Sequence, residues 1–170
     1  MLLERYLVPD RMAERYADVT PEQLTARGIR ALICDIDNTL ATYEEPDPPP
    51  DVVRWCAAMQ EAGVRIAFVS NNDAARVERF NRPFGYPAYA KSGKPGGKYL
   101  LQAMRDMGSD TTSTALLGDQ LLTDAAAGKR LGLYVVIVPP IRDKKTLFFR
   151  FKRLLERPYI NQYRRRHLPL

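Results

Sequence analysis

The stretch ALICDIDNTL, residues 31–40, sets two carboxylates, Asp35 and Asp37, at the end of an apolar run. An apolar run closed by a polar turn reads as a buried parallel strand. Open α/β sheets bind ligands beyond the carboxyl ends of their strands. Residues two apart on a strand share a side, so extension through Asp37 would aim both carboxylates at one point. Two such charges repel unless a cation or a proton lies between them. The stretch therefore predicts a metal-assisted site.

Downstream, ATYEEPDPPP (41–50) places four prolines within Pro46–Pro50 and excludes a regular helix. This is a stiff loop, too short for a cap domain. Asp51 caps the next helix, DVVRWCAAMQEAG, whose stripe of Val52, Cys56 and Met59 is widened by Val53 and Trp55 and stopped at Gly63. Val64–Val69 is a second strand, running into Ser70, Asn71 and Asn72, and a short helix with Val77 and Phe80 on one side follows. Tyr86–Ala90 predicts a short third strand before the basic, glycine-rich KSGKPGGK. The helix after it carries Tyr99, Leu100, Ala103, Met104 and Met107 at helical spacing, with the methionines read as core. Thr114–Leu117 is a fourth strand ending in GDQLLTD, AAAGKRLG a small-residue helix, and Leu133–Val138 a fifth strand closed by Pro139 and Pro140. Alternating strands and helices from 31 to 138 predict an α/β fold: a Rossmann-like, three-layer sandwich on a mainly parallel five-stranded sheet, without a large cap domain.

The polar clusters follow successive strands: Asp35, Asp37 and Thr39; Ser70 and Asn71; Lys94; Asp119 and Asp124. One such cluster is ordinary loop chemistry, but four at one edge of a parallel sheet would converge on a single crevice. Carboxylate oxygens suit Mg²⁺, and a lysine adds a point charge. Ser70 and Thr39 can donate hydroxyl hydrogen bonds. Together these match the needs of phosphoryl transfer. A carboxylate can attack phosphorus, and a second can protonate the leaving oxygen and then activate water. KSGKPGGK lacks the G-x-x-x-x-G-K-[ST] pattern, which excludes a nucleotide P-loop. Of Lys91, Lys94 and Lys98, Lys94 is favoured because Pro95 stiffens its flank, with Lys98 second.

In combination DIDNT, VSNN, KSGKP and GDQLLTD resemble the four motifs of the haloacid dehalogenase superfamily. The order of GI, strand, DIDNTL and proline-rich loop is similar to the YqeG-like phosphatases of subfamily IIIA, which are related to phosphatidylglycerophosphate phosphatases. The resemblance spans roughly residues 3–158. It implies Asp35 as nucleophile and Mg²⁺ ligand, and Asp37 as general acid and base with its backbone carbonyl on the metal. It implies that Thr39 steadies that loop, that Ser70 binds phosphoryl oxygens with Asn71 nearby, and that Lys94 orients Asp35 and neutralises the phosphoryl group. It further implies that Asp119 holds Mg²⁺, supported by Asp124 directly or through water. The acid at position 37 points to a phosphatase or mutase rather than a dehalogenase, and a mutase would need a larger cap.

Around this core (29–141), residues 1–28 read as a helical arm packed on it through Leu2, Leu3, Leu7 and Leu24, with RMAERYADV as a second short helix. Residues 142–170 read as a basic amphipathic helix and tail. There Leu147, Phe151, Leu154 and Leu155 share a face, Arg157-Pro158 ends the helix, and His167 is exposed in a loose end. The whole chain carries a net charge of +6, but ten Lys or Arg against two acids after position 141 give that segment +8 and leave −2 for the rest. Cys34 and Cys56 form no disulfide or zinc pattern, and Cys34 reads as a buried thiol. No leader is visible after Met1, and no run approaches the ~20 apolar residues of a spanning helix. These features predict a cytoplasmic protein and leave two readings of the basic helix open: packing on the core with a solvated charged side, or peripheral contact at the inner face of an anionic membrane.

The predicted function is Mg²⁺-dependent phosphomonoester hydrolysis through an aspartyl phosphate, with phosphatidylglycerophosphate as the favoured substrate. Phosphatase action on soluble sugar phosphates or nucleotides is one alternative. An accessory role binding RNA or a ribonucleoprotein through the basic tail, Tyr159 and Tyr163 is another. The chain shows no recognised RNA motif, which disfavours nucleic acid.

Overall fold

The computed structural model describes residues 4–142 and 147–167. Six parallel strands form one sheet in the order β1-β6-β5-β2-β3-β4. They are β1 (Arg11–Met12), β2 (Ala31–Cys34), β3 (Arg65–Val69), β4 (Ala88–Tyr89), β5 (Thr114–Gly118) and β6 (Tyr134–Ile137). The helices are α1 (Glu4–Leu7), α2 (Pro21–Thr25), α3 (Pro50–Glu61), α4 (Ala74–Asn81), α5 (Lys98–Asp106), α6 (Ala126–Arg130) and α7 (Leu147–His167), with a π-helical turn at Leu121–Ala125. Strand β2 lies between β5 and β3, where the strand order changes direction. Crevices at the carboxyl edge of such sheets form at that point.

Both faces of the sheet are covered, as its continuous apolar strands require. Leu32 and Cys34 of β2 pack with α3 and α4 around Phe68, Phe80 and Met59. Their neighbours Ala31 and Ile33 face the opposite way, toward Leu100, Ala103, Met104 and Met107 of the α5 region. Met104 and Met107 are buried, and the thiols of Cys34 and Cys56 are free and buried. On α3, Trp55 joins the core while Val53 faces outward. Gly128 lets α6 sit against the sheet, because a Cβ there would lie 2.6 Å from Val135 Cγ2.

The sheet has one strand more than the five expected, and it comes from the amino-terminal arm. RMAERYADV is not a short helix: Arg11 and Met12 pair with Val136 and Ile137 as β1, and Tyr16–Asp18 makes a 3₁₀ turn. A two-residue strand has no periodicity to read. It is fixed by tertiary bonds, with Asp10 N–H donating to Val135 O and the Asp10 carboxylate accepting from Val135 N–H and Lys129 Nζ. The arm also packs on α3, where Trp55 Nε1 donates to Val19 O and Tyr16 meets the indole edge-on at 5.3 Å. Leu7 and Leu24 are buried, while Leu2 and Leu3 lie outside the described residues.

The carboxyl-terminal helix does not end at Arg157-Pro158. It continues to His167, with Pro158 inside it, and so replaces the expected loose end, although His167 is exposed. Proline removes one helical hydrogen bond, but Pro158 is exposed, where water can serve the released carbonyl. Tyr159 and Ile160 pack against the core beside it, so tertiary contact holds what propensity would break. Of the face predicted on this helix, Phe151, Leu154 and Leu155 are exposed, and the side chain of Leu147 lies outside the described set. Among the described residues no helix is long and apolar enough to cross a membrane, and no cap domain interrupts the core.

Candidate active site

The site begins where β2 leaves the sheet. Asp35 N–H still donates to Leu117 O at 2.9 Å, but the chain then closes a tight loop. In that loop Leu40 N–H donates to Ile36 O and Asn38 N–H to Ala41 O. Asn38 takes φ +63°, a left-handed conformation that asparagine tolerates better than most residues. The left-handed turn comes only after Asp37, which still pairs with Ala41 as an isolated parallel bridge, and both carboxylates reach one crevice as an extended run predicts. Asp37 Oδ2 accepts from Asn72 Nδ2 at 2.8 Å, and Oδ1 accepts from Arg76 Nε at 3.0 Å. The crevice that Asp35 and Asp37 both line has a volume of about 240 Å³.

The partners of Asp35 come instead from the end of β5. Asp35, Asp119 and Asp124 each present a carboxylate oxygen, all within 4.8 Å of one another. Lys94 enters this group from the loop before α5. Its Nζ lies 2.8 Å from Asp35 Oδ1, 2.7 Å from Asp124 Oδ1 and 2.8 Å from Val69 O. Burial works against the charged amine, but Asp124 and Asp35 outweigh it and raise the lysine above its ordinary value. Burial pushes the Asp35 carboxyl up, Lys94 opposes, and the charge of Asp124 adds to the rise. Fully ionised, three carboxylates against one ammonium would carry two surplus negative charges in a buried space. Three hard oxygen donors in that state fit a divalent cation of the Mg²⁺ kind. The Asp37 side chain is outside this trio.

Gly118 makes the cluster possible. A Cβ at that position would lie 2.4–2.5 Å from the Cγ, Cβ and Oδ2 atoms of Asp124. Asp124 folds back over its own strand end, where its Oδ2 accepts from the N–H groups of Asp119 and Gln120. Gly118→Ala is therefore expected to displace Asp124, to lower kcat/KM for a phosphomonoester by about 100-fold, and to raise the divalent-cation concentration needed for half-maximal rate. Wild-type metal dependence in this variant would mean that Asp124 is not held by that contact.

The remaining expected residues fall around the same crevice. Thr39 Oγ1 donates to Asp35 Oδ2 at 3.4 Å, and Ser70, buried, lines the wall. Asn71 also lines it, but its amide serves the lysine loop: Oδ1 accepts from Lys94 N–H and Ser92 Oγ, and Nδ2 donates to Lys94 O. Lys98 sits over the Tyr99 ring at the start of α5, and Lys91 is exposed.

Further residues shape the site that the sequence reading did not propose for it. Tyr43, Asn72, Gln120 and Thr123 line the crevice. Burial, and then the surrounding carboxylates, push the Tyr43 phenol up to about 12, so it stands there as a neutral hydroxyl. Glu156 reaches in from α7, buried, and accepts from Leu121 N–H at 2.9 Å and Leu122 N–H at 3.3 Å. It thus caps the turn that carries Asp124. A lone acid on the basic α7 was its available signal.

Comparison with known proteins gives the family of the chain. Residues 8–132 match the family model of the haloacid dehalogenase-like hydrolases. The chain is 34% identical over 165 residues to a Bacillus subtilis (strain 168) protein named "Probable phosphatase YqeG", covering 97% of this chain and 96% of the relative. Two solved structures share the fold at low identity. The cobalt-bound deoxy-D-mannose-octulosonate 8-phosphate phosphatase YrbI of Haemophilus influenzae matches 81% of this chain and 92% of its own, with TM-score 0.53 and 16% identity. CbbY of Rhodobacter sphaeroides, crystallised with xylulose-(1,5)bisphosphate, matches 66% and 87%, with TM-score 0.51 and 18% identity. A family match over most of the chain and a full-length relative place this protein among the haloacid dehalogenase-like hydrolases, in the YqeG-like group.

Proposed function

We propose that this hydrolase is a Mg²⁺-dependent phosphomonoesterase that works through an aspartyl phosphate on Asp35. The observation that carries the reading is the meeting of Asp35, Asp119 and Asp124 with Lys94 beside the crevice. Asp35, Asp119, Asp124 and the Asp37 backbone carbonyl would hold the cation, which supplies charge neutralisation to the phosphoryl oxygens. Lys94 adds fixed positive charge, and Ser70 offers a hydroxyl to the same oxygens. An Asp35 oxygen attacks phosphorus as the bond to the leaving oxygen breaks, and Asp37 delivers its proton to that oxygen. Asp37 then takes a proton from water as the water oxygen attacks phosphorus. The Asp35–phosphorus bond breaks, releasing phosphate and the free carboxylate.

The open crevice favours a bulky monoester, and phosphatidylglycerophosphate is the proposed substrate. The exposed Phe151, Leu154 and Leu155 of α7, with the exposed Arg157, Arg164 and Arg165 on the same helix, suit an anionic lipid surface. Lys152 Nζ reaches Gln120 Oε1 on the crevice wall at 3.4 Å, so this helix adjoins the site. The test is phosphate release with and without Mg²⁺, from phosphatidylglycerophosphate in mixed micelles and from soluble monoesters. Release from the lipid at a kcat/KM at least tenfold above the soluble esters, abolished by a chelator, is expected. Chelator-insensitive release would remove the metal from the mechanism, and preference for a soluble ester would remove the lipid.

A further inference from the structure

Arg76 occupies a position that helix energetics do not explain. It lies in the first turn of α4, where the helix dipole favours anions, and no acid accompanies it there. Its backbone N–H donates to the helix cap Asp73, which fixes where the side chain starts. The side chain is 10% exposed and crosses the Phe80 ring at 5.4 Å. The guanidinium then meets four acceptors. Nε donates to Asp37 Oδ1 at 3.0 Å, Nη2 to Thr42 O at 3.1 Å, and Nη1 to Glu45 O at 2.5 Å and Pro46 O at 2.9 Å.

These acceptors belong to two parts of the site. Asp37 is a crevice carboxylate, and Thr42–Pro46 is the loop that carries Tyr43 to the same crevice. Glu45 tightens that loop by accepting from the N–H and hydroxyl of Thr42. A single planar cation thus joins the carboxylate to the loop beside it. A lysine ammonium has three donors on one point and could not span this set. With Asn72 on the other oxygen, both Asp37 oxygens have a fixed partner.

We propose that Arg76 is a positioning residue that sets the orientation of Asp37 for proton delivery to the leaving oxygen. This assignment rests on the phosphatase reading above. Its consequence is specific to the leaving group. A misplaced acid slows esters whose leaving oxygen needs a proton and has less effect where the leaving oxygen is stable as an anion. A mainly structural Arg76 would slow all esters alike.

The test measures kcat/KM for aryl phosphates of similar size, from the 4-nitrophenyl ester to the 4-methoxyphenyl ester. Wild type is expected to show a shallow dependence on leaving-group basicity. Arg76→Ala and Arg76→Gln should steepen it, with the 4-methoxyphenyl ester losing at least about tenfold more than the 4-nitrophenyl ester. Because both esters are compared on one preparation, partial unfolding cancels from the ratio. Asp37→Asn should steepen the dependence too, and adding Arg76→Ala to it should steepen it no further. Parallel losses on all esters in both Arg76 variants, or further steepening in the double variant, would overturn the assignment. Absence of phosphate release by wild type from every ester would instead refute the phosphatase reading.

Discussion

Asp35→Asn is expected to lower kcat by on the order of 10⁴-fold or more, the scale seen when a nucleophile is removed from an assembled site. Stability should change little. The variant leaves Lys94 with Asp124 at 2.7 Å and Val69 O at 2.8 Å, so the ammonium keeps two partners. It also removes one of three crowded carboxylates, which relieves repulsion in a buried space. Steady-state phosphate release and urea unfolding on the same preparation check both halves. A variant that retains a tenth of the rate would show that Asp35 is not the nucleophile.

Lys94→Met should behave differently, because it removes the ammonium and leaves the carboxylates. The side chain is nearly sealed from solvent, and its loss strands Asp35 and Asp124 without their shared partner. Breaking a buried pair in this way costs about 3–5 kcal/mol. The rate should fall by about 10²- to 10³-fold, as on loss of one charge-stabilising donor. Mg²⁺ should restore stability to this variant more than to wild type, because the cation replaces missing positive charge. Unfolding midpoints with and without Mg²⁺ read this directly. Equal midpoint shifts in the two proteins would show that the lysine and the cation do not share the same carboxylates.

The central sheet was legible because its strands are nearly unbroken apolar runs, and parallel strands deliver their carboxyl ends to one edge. That rule brought Asp35, Ser70, Lys94, Asp119 and Asp124 to one place from four distant segments. What escaped depends on contacts that no local pattern encodes. β1 has two residues and exists through Val135 and Ile137. The helix through Pro158 persists because Tyr159 and Ile160 are packed. Asp37 stands outside the carboxylate trio, its two oxygens taken by Arg76 and Asn72, which lie 39 and 35 residues away in sequence. Gly118 was part of a quoted motif, yet its reason, a clash with Asp124, needs the folded turn.

The most direct test is to trap the covalent intermediate. Enzyme turning over a phosphomonoester with Mg²⁺ is quenched in acid, treated with hydroxylamine, digested and analysed by mass spectrometry. An acyl phosphate on Asp35 predicts a hydroxamate at that residue, present only with both substrate and Mg²⁺ and absent from Asp35→Asn. Turnover with a hydroxamate at another carboxylate, or with repeated rapid-quench time points showing none anywhere, would contradict the account.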